Sequence, residues 1–215
     1  LMGIETWRKY AEKFGLGQRT GLTFEPGEYA GLLPSRQYYQ ERDGWTLGHL
    51  LNLIIGQGAM LATPIQMARY TAAIANGGNL VTPHLSGLPP PQQHIDGVSE
   101  STLNIVRRAM HRVVYGPQGT GWRLAIDGIE VAGKSGTAQV PNRENNSNDA
   151  WFVAFAPYRD PEIAVAVVVE GGGGGGFTAA PVAREIIEAF HIQKVHSEKF
   201  ESRVDSTATY SMRQD

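Results

Sequence analysis

Apolar residues recur at helical spacing in four stretches of the chain. The first is an opening helix that ends before Gly15, with its apolar face formed by Leu1, Ile4, Trp7, Ala11 and Phe14. A second helix begins at Thr63, which can cap it while Gln66 reaches back as in a capping box. A third is predicted from about Ser99 to Gly116 and a fourth from about Pro181 to Phe190.

The last third of the chain changes to short runs of β-branched and aromatic residues. Ile129–Lys134, Trp151–Ala156 and Glu162–Val169 are predicted strands, and a turn of hairpin length, Pro157–Pro161, joins the last two. Three consecutive strands followed by a helix predict an α+β fold, an antiparallel sheet flanked by helices. Residues His191–Asp215 are polar and aperiodic, which predicts a disordered carboxyl-terminal tail.

Composition excludes several classes of protein. Of the 215 residues 41% are apolar, too many for a disordered chain, and no run of 18 apolar residues is present to span a membrane. The absence of cysteine excludes disulfides, thiolate nucleophiles and cysteine-based zinc sites. A net charge of −2 argues against a nucleic-acid-binding face. The six histidines lack H-x-x-x-H spacing, so we expect no metal site.

Glycine is overrepresented, with 26 residues, six of them in the run Gly171–Gly176. This run lies between the last predicted strand and the last predicted helix. It lacks a lysine at P-loop spacing, so we predict a flexible connector. Loops are also predicted for Gly15–Asp43, which is rich in glycine, proline and polar residues. Gly56-Gln57-Gly58 is predicted to be a tight turn that leads into the second helix.

Two motifs overlap at Lys134. Gly128–Ser135 matches the G-x-x-x-x-G-K-S pattern of a nucleotide-binding P-loop. That motif requires a flexible loop followed at once by a helix, whereas the segment before Lys134 favours a strand and Pro141 follows soon after. The P-loop is therefore the remote alternative for this segment.

The second motif is a K-[ST]-G-T strand, Lys134-Ser135-Gly136-Thr137. Lys134 would supply a positive charge, and the hydroxyls of Ser135 and Thr137 could hold a substrate carboxylate. Gly136 would let substrate approach the backbone closely, and the Thr137 N–H could face a developing oxyanion. Four residues alone are equally compatible with an ordinary strand end followed by a turn.

The wider sequence resembles the transpeptidase domain of class B penicillin-binding proteins, most closely the cell-elongation class known as penicillin-binding protein 2. The resemblance extends from about Leu1 to Phe190 and is carried by segments in the same order and at similar spacing. These include Lys13–Gly17, Leu33–Arg36, Gly56–Gly58, Thr63–Met67, Ala132–Val140, Trp151–Pro157 and Ile163–Glu170. It implies the fold shared by penicillin-binding proteins and serine β-lactamases, with residues 1–190 as the carboxyl-terminal part of the domain and 191–215 as a tail.

In this family the active site combines S-x-x-K, S-x-N and K-[ST]-G motifs. Only the third occurs here, because no serine of the chain has lysine three residues on or asparagine two residues on. The resemblance therefore implies that the nucleophilic serine and its lysine lie upstream of this chain. We expect the 215 residues by themselves to be inactive.

By the same resemblance, Lys134 and Thr137 are catalytic residues, and Lys134, Ser135, Gly136 and Thr137 bind substrate. Lys134 and Ser135 would bind the terminal D-Ala carboxylate and polarise the S-x-N serine. Thr137 would bind that carboxylate and donate the second oxyanion-hole N–H. Trp151, at the head of the next strand, is a candidate cleft wall. The implied reaction is acyl transfer through a serine acyl-enzyme, with loss of D-Ala and attack by a neighbouring stem-peptide amine.

The family also implies partners and a location. They are peptidoglycan stem peptides, β-lactam antibiotics and the membrane glycan polymerase of the elongation complex, with no cofactor. The parent protein would be anchored in the inner (cytoplasmic) membrane, with its catalytic domain in the periplasm and the anchor outside this chain. A non-catalytic module of the same fold, which binds a partner or senses β-lactams, is the alternative function.

Overall fold

Helices precede and follow a three-stranded antiparallel sheet in the computed structural model, which describes residues 3–22, 27–140 and 147–211. The elements in chain order are α1 (Ile4–Lys13), α2 (Arg36–Gln40), α3 (Leu47–Ile54), α4 (Pro64–Ala75), β1 (Asn79–Leu80), β2 (Gln93–His94), α5 (Glu100–Tyr115), β3 (Ala132–Ala138), β4 (Asp149–Ala156), β5 (Ile163–Val169) and α6 (Gly175–Ser211). The four predicted helices correspond to α1, α4, α5 and α6. Helices α2 and α3 were not predicted.

Strand β4 lies at the centre of the sheet, between β3 and β5. The predicted hairpin of β4 and β5 is confirmed, with Ala156 opposite Ile163. The first strand was placed too early, because β3 covers Ala132–Ala138 rather than Ile129–Lys134. A bridge between Ile126 and Ile129 closes a turn around Gly128, which has a φ of 80°, so the apolar run before Ala132 belongs to that turn.

Helices cover both faces of the sheet. On one face Phe152 packs among small residues of α6, chiefly Ala179, Ala180 and Ala183. On the other, Phe155 packs against α4 and α5. Because alternate residues of β4 point to opposite faces, one strand supplies both cores. The predicted antiparallel sheet flanked by helices is therefore confirmed, and the strand order puts β3 at one edge of it.

The predicted capping box begins α4. The Thr63 side chain accepts from the Gln66 N–H at 3.3 Å, and Gln66 Oε1 accepts from the Thr63 N–H at 2.9 Å. Gln66 is fully buried, and its Nε2 also donates to the carbonyl oxygens of Gln18 and Ala30. The same residue therefore starts the helix and ties the preceding loops to it. Those loops include the short helix α2, capped by Ser35.

A buried carboxylate reinforces this loop region. Glu28 accepts from the backbone N–H groups of Thr20 at 2.8 Å and Gly21 at 3.1 Å. Burial acts to raise the pKa of Glu28, but the hydrogen bonds from Thr20, Gly21 and Leu22 outweigh it, so the pKa lies below its ordinary value of 4.5. The charged form of Glu28 therefore holds the loop in place.

Only the first four glycines of Gly171–Gly176 form the connector that the sequence predicts. Gly171 and Gly173 form a turn with φ of 65° and 77°, but Gly175 and Gly176 are the first residues of α6. A Cβ at Gly175 would fall under 3.0 Å from the carbonyl oxygens of Trp151 and Gly136. Glycine therefore lets the start of α6 touch the backbones of β3 and β4 directly.

Helix α6 is longer than the predicted Pro181–Phe190, and Pro181 lies inside it. It continues to Ser211, so residues 191–211 are helical where the pattern predicts an irregular tail, and residues 212–215 lie outside the described chain. An ion pair between Lys194 and Glu162 joins the extension to the start of β5. The end of the domain at residue 190 stays a prediction. Across the described ranges, no helix combines the length and apolar character needed to cross a bilayer.

Candidate functional site

Lys134-Ser135-Gly136-Thr137 lies in the middle of β3, at the edge of the sheet. Strand β3 pairs with β4 on one side only, where Lys134 is opposite Val153. The chain stays extended through Ala138, so no helix begins after Ser135 as a P-loop would require. The P-loop interpretation of Gly128–Ser135 is therefore wrong, because pairing with β4 turns the second half of the motif into a strand.

The backbone of Thr137 faces the open edge of β3. Its carbonyl oxygen accepts from Nε2 of Gln57 at 2.8 Å, from outside the sheet. In an antiparallel ladder the N–H and C=O of one residue lie on the same side of the strand. The Thr137 N–H therefore also points to the open edge, where a substrate oxygen could reach it.

The side chains of the motif divide between the two faces of β3. Lys134 and Gly136 lie on one face, and Ser135 and Thr137 lie on the other. Lys134 and Thr137 are exposed, and Nζ of Lys134 donates to the Ser135 carbonyl oxygen at 2.6 Å. At this strand edge an ammonium, two hydroxyls and an outward N–H come together within four residues. Such a set can bind a carboxylate and stabilise an oxyanion.

Trp151 is the residue of β4 directly opposite Gly136. Opposed residues share a face, so the half-buried indole lies on the same face as Lys134, two residue pairs further along the ladder. A Cβ at Gly136 would approach the Trp151 Cβ at 3.1 Å, which is tight, so glycine leaves room beside the ring. The position of Trp151 is compatible with a side wall of a substrate cleft next to the motif. That role stays a prediction.

Thr120 is a further residue of this site that the sequence analysis missed. Its Oγ1 lies 2.8 Å from Oγ of Ser135. The glycines on either side of Thr120 let this turn pack closely against α5 and β4. A Cβ at Gly119 would collide with the Val113 carbonyl, and one at Gly121 would collide with the Phe152 ring. A threonine bracketed by glycines after α5 is the available signal, but it does not reveal Ser135 as the partner.

An open cleft of about 790 Å³ lies beside Lys134. Its walls come from α5 and the turn that carries Thr120, and its other lining residues are Ile105, Arg108, Ala109, Arg112, Val113, Gly116, Pro117, Gln118 and Gly119. The two arginines and Lys134 are its charged groups, so the cleft favours anionic groups. Among the residues that the structure describes, no three histidine, aspartate or glutamate side chains are grouped to hold a metal ion.

The contact between Thr120 and Ser135 leads to a testable prediction. Under the role that the family resemblance implies for the motif, Thr120→Val in the full-length gene product removes the hydroxyl but keeps the shape, and acylation by a labelled penicillin should slow about 3- to 10-fold, the effect of one lost hydrogen bond. The measurement is the second-order rate constant of labelling. Thr120→Ser keeps the hydroxyl and should stay within twofold of the unchanged protein; an equal loss in both variants would contradict a role for the hydroxyl.

The family model described as the penicillin-binding protein transpeptidase domain matches residues 1–188. The chain therefore belongs to the transpeptidase family of penicillin-binding proteins. The resemblance inferred from the motifs, from about Leu1 to Phe190, is therefore confirmed over residues 1–188.

Similar curated proteins carry the name peptidoglycan D,D-transpeptidase MrdA. The one from Salmonella typhimurium is 34% identical over a region that covers 87% of this chain and 34% of the relative. The one from Haemophilus influenzae is 34% identical over a region that covers 90% of this chain and 34% of the relative. The chain thus spans about a third of the length of the curated relatives that it matches.

Solved structures of penicillin-binding protein 2 share the fold. The Pseudomonas aeruginosa protein in complex with WCK 5153 has a TM-score of 0.76 and 39% identity, covering 87% of this chain and 44% of that chain. The Helicobacter pylori protein in complex with MreC has a TM-score of 0.74 and 32% identity, covering 86% and 36%. The predicted likeness to the cell-elongation class is confirmed by these neighbours.

Proposed function

We propose that this chain is the carboxyl-terminal part of the catalytic domain of a peptidoglycan D,D-transpeptidase that cross-links stem peptides during cell elongation. The observation that carries the proposal is the Lys134–Thr137 motif on an open strand edge, with the Thr137 N–H directed outward. The names of the MrdA relatives support the same reaction.

The motif has distinct roles in the proposed reaction. The hydroxyls of Ser135 and Thr137 and the charge of Lys134 bind the terminal carboxylate of a D-Ala-D-Ala stem peptide. This places the scissile carbonyl oxygen at the Thr137 N–H, one donor of the oxyanion hole. Lys134 also polarises the serine of the S-x-N motif. Gly136 keeps the strand edge free of a side chain where the peptide lies.

Acyl transfer then takes place in two steps on a serine of the S-x-x-K motif, which we propose lies upstream in the full-length gene product. The serine oxygen bonds to the carbonyl carbon, the bond to the D-Ala nitrogen breaks, and that nitrogen takes up a proton. An amine of a neighbouring stem peptide next attacks the ester carbon, and the serine oxygen leaves and regains a proton. Residues of this chain bind and polarise substrate, but none is the nucleophile.

Similar structures support a proposal about partners and location. The H. pylori neighbour was solved with MreC, and another neighbour, at a TM-score of 0.75, comes from a peptidoglycan synthase complex that coordinates polymerization and crosslinking. A Mycobacterium tuberculosis neighbour was solved with aztreonam. We propose that the parent protein is anchored in the cytoplasmic membrane, acts in the periplasm beside a membrane glycan polymerase, and is acylated by β-lactams.

Penicillin labelling of the full-length gene product tests the function. We expect one covalent label per molecule, on the serine of an upstream S-x-x-K motif, and release of D-Ala from a pentapeptide substrate. The isolated 215 residues should take up no label. Labelling without D-Ala release would favour a β-lactam-sensing module, and the absence of labelling would overturn the proposal.

A further inference from the structure

Gln57 contacts the site strand from outside the sheet. Its Nε2 donates to the Thr137 carbonyl oxygen at 2.8 Å, and its Oε1 accepts from the Gln139 N–H at 3.5 Å. The side-chain amide thus joins the C=O of one residue to the N–H of the residue two positions on. A residue of a parallel strand bonds to its neighbour in this pattern, so Gln57 takes the place of a neighbouring strand at the open edge.

The turn that carries Gln57 is itself held in place. Gly56 and Gly58 have φ of 78° and 83°, the left-handed region that glycine adopts readily. The N–H of Gln57 donates to the Asn52 carbonyl at 2.9 Å and that of Gly56 to the Leu53 carbonyl at 3.0 Å, so the turn closes the end of α3. Leu53 is 1% exposed in a cluster with Tyr39 and Leu50, which anchors the turn to a packed core.

This arrangement restricts the backbone at the oxyanion donor. Without a partner strand, the edge of β3 at Thr137 would have no hydrogen bond on its outer side. The bond from Gln57 to the Thr137 carbonyl holds that residue extended, and the N–H on the same side of the strand keeps its direction. Removing a single oxyanion donor costs about 10²- to 10³-fold in rate, so a small reorientation of this N–H has a measurable effect.

We propose that Gln57 is a positioning residue that orients the Thr137 N–H for oxyanion stabilisation. This inference rests on the proposed transpeptidase function. In this proposal Gln57 acts through the Thr137 backbone, to which its side-chain amide bonds. We therefore expect its effect on the rate of acylation at saturating penicillin, because its bond is to the Thr137 backbone. The affinity of the non-covalent complex should depend instead on the side chains of Lys134, Ser135 and Thr137.

The test separates these two constants in the full-length gene product. Gln57→Ala and the near-isosteric Gln57→Met should lower the limiting acylation rate about 10-fold, with the dissociation constant for penicillin within twofold of the unchanged protein. Gln37→Ala is the control, because Gln37 lies exposed on α2 and bonds only locally to Glu41. It should leave both constants unchanged.

A pH profile of Gln57→Glu distinguishes positioning from a general structural role. The carboxylate of this variant cannot donate to the Thr137 carbonyl, whereas its protonated form can. Its acylation rate, relative to the unchanged protein at each pH, should therefore rise as the pH falls from 8 towards about 5, and Gln57→Ala should show no such rise.

Each outcome of the experiment decides one of the two proposals. If the unchanged protein is not acylated, the proposed function fails, and this role fails with it. If the unchanged protein is acylated, limiting rates like its own in all three Gln57 variants overturn the positioning role alone. Losses that follow the loss of folded protein in thermal melts, with no pH-dependent recovery in Gln57→Glu, also overturn it.

Discussion

Lys134→Ala should reduce acylation of the full-length gene product by a labelled penicillin at least about 100-fold. Lys134 is the cation of the motif, exposed on the site strand beside the cleft. In the proposed mechanism, its removal takes away charge that attracts the substrate carboxylate and polarises the serine of the S-x-N motif. The measurement is the second-order rate constant of labelling, with circular dichroism to confirm the fold.

Two further variants make this result specific. Lys134→Arg keeps the charge but places it on a larger planar group, so we expect partial activity. Lys9→Ala removes an exposed lysine of α1 and should acylate like the unchanged protein. Labelling of Lys134→Ala within threefold of the unchanged protein would contradict the assigned role.

Gly175→Ala should destabilise the protein by about 2–3 kcal/mol. The added methyl group would fall under 3.0 Å from the carbonyl oxygens of Trp151 and Gly136, and neither backbone can move without disturbing the sheet. The start of α6 must therefore shift away from β3, which also displaces the motif. The measurements are the midpoint and slope of urea unfolding, together with the fraction of protein that takes up penicillin.

Gly174→Ala is the matched control for this prediction. Gly174 is the preceding residue, and a Cβ there would meet nothing within 4 Å. Both substitutions reduce the conformational entropy of the unfolded chain by a similar amount. The difference between their free energies of unfolding therefore reports the packing at Gly175. Equal unfolding midpoints for the two variants would contradict close packing of α6 against the backbone of the site strand.

The site strand is therefore held from several directions by residues distant in the sequence. Gly175 brings α6 against its backbone, Thr120 bonds to Ser135, and Gln57 bonds to Thr137. A functional site gains precision when its reactive groups lie on a regular element that neighbouring residues hold rigid. Strand β3 meets this condition even though one of its edges is open.

Local sequence was sufficient for much of the fold. The Thr63–Gln66 capping box lies within one turn of chain, and so does the turn that joins β4 to β5; both were predicted from spacing and both are confirmed. The Lys134–Thr137 motif and the order of the surrounding segments were also enough to identify the family. These features depend on residues close together in the chain, whose conformational preferences act before any packing.

Packing between segments distant in the sequence determined the remaining features of the site. The sequence at Gly128–Ser135 also fits a P-loop, and pairing with β4 confirms the strand that local sequence favours at Lys134 and sets its bounds at Ala132–Ala138. The glycines before α6 are flexible by composition, yet Gly175 is fixed because the helix docks where a Cβ has no room. Gln57 meets Thr137 across 80 residues, a contact that no local preference encodes. The sequence by itself thus determined the residue types of the motif and where the helices begin. The orientation of the reactive groups depends on the neighbouring residues that restrain them in the folded protein.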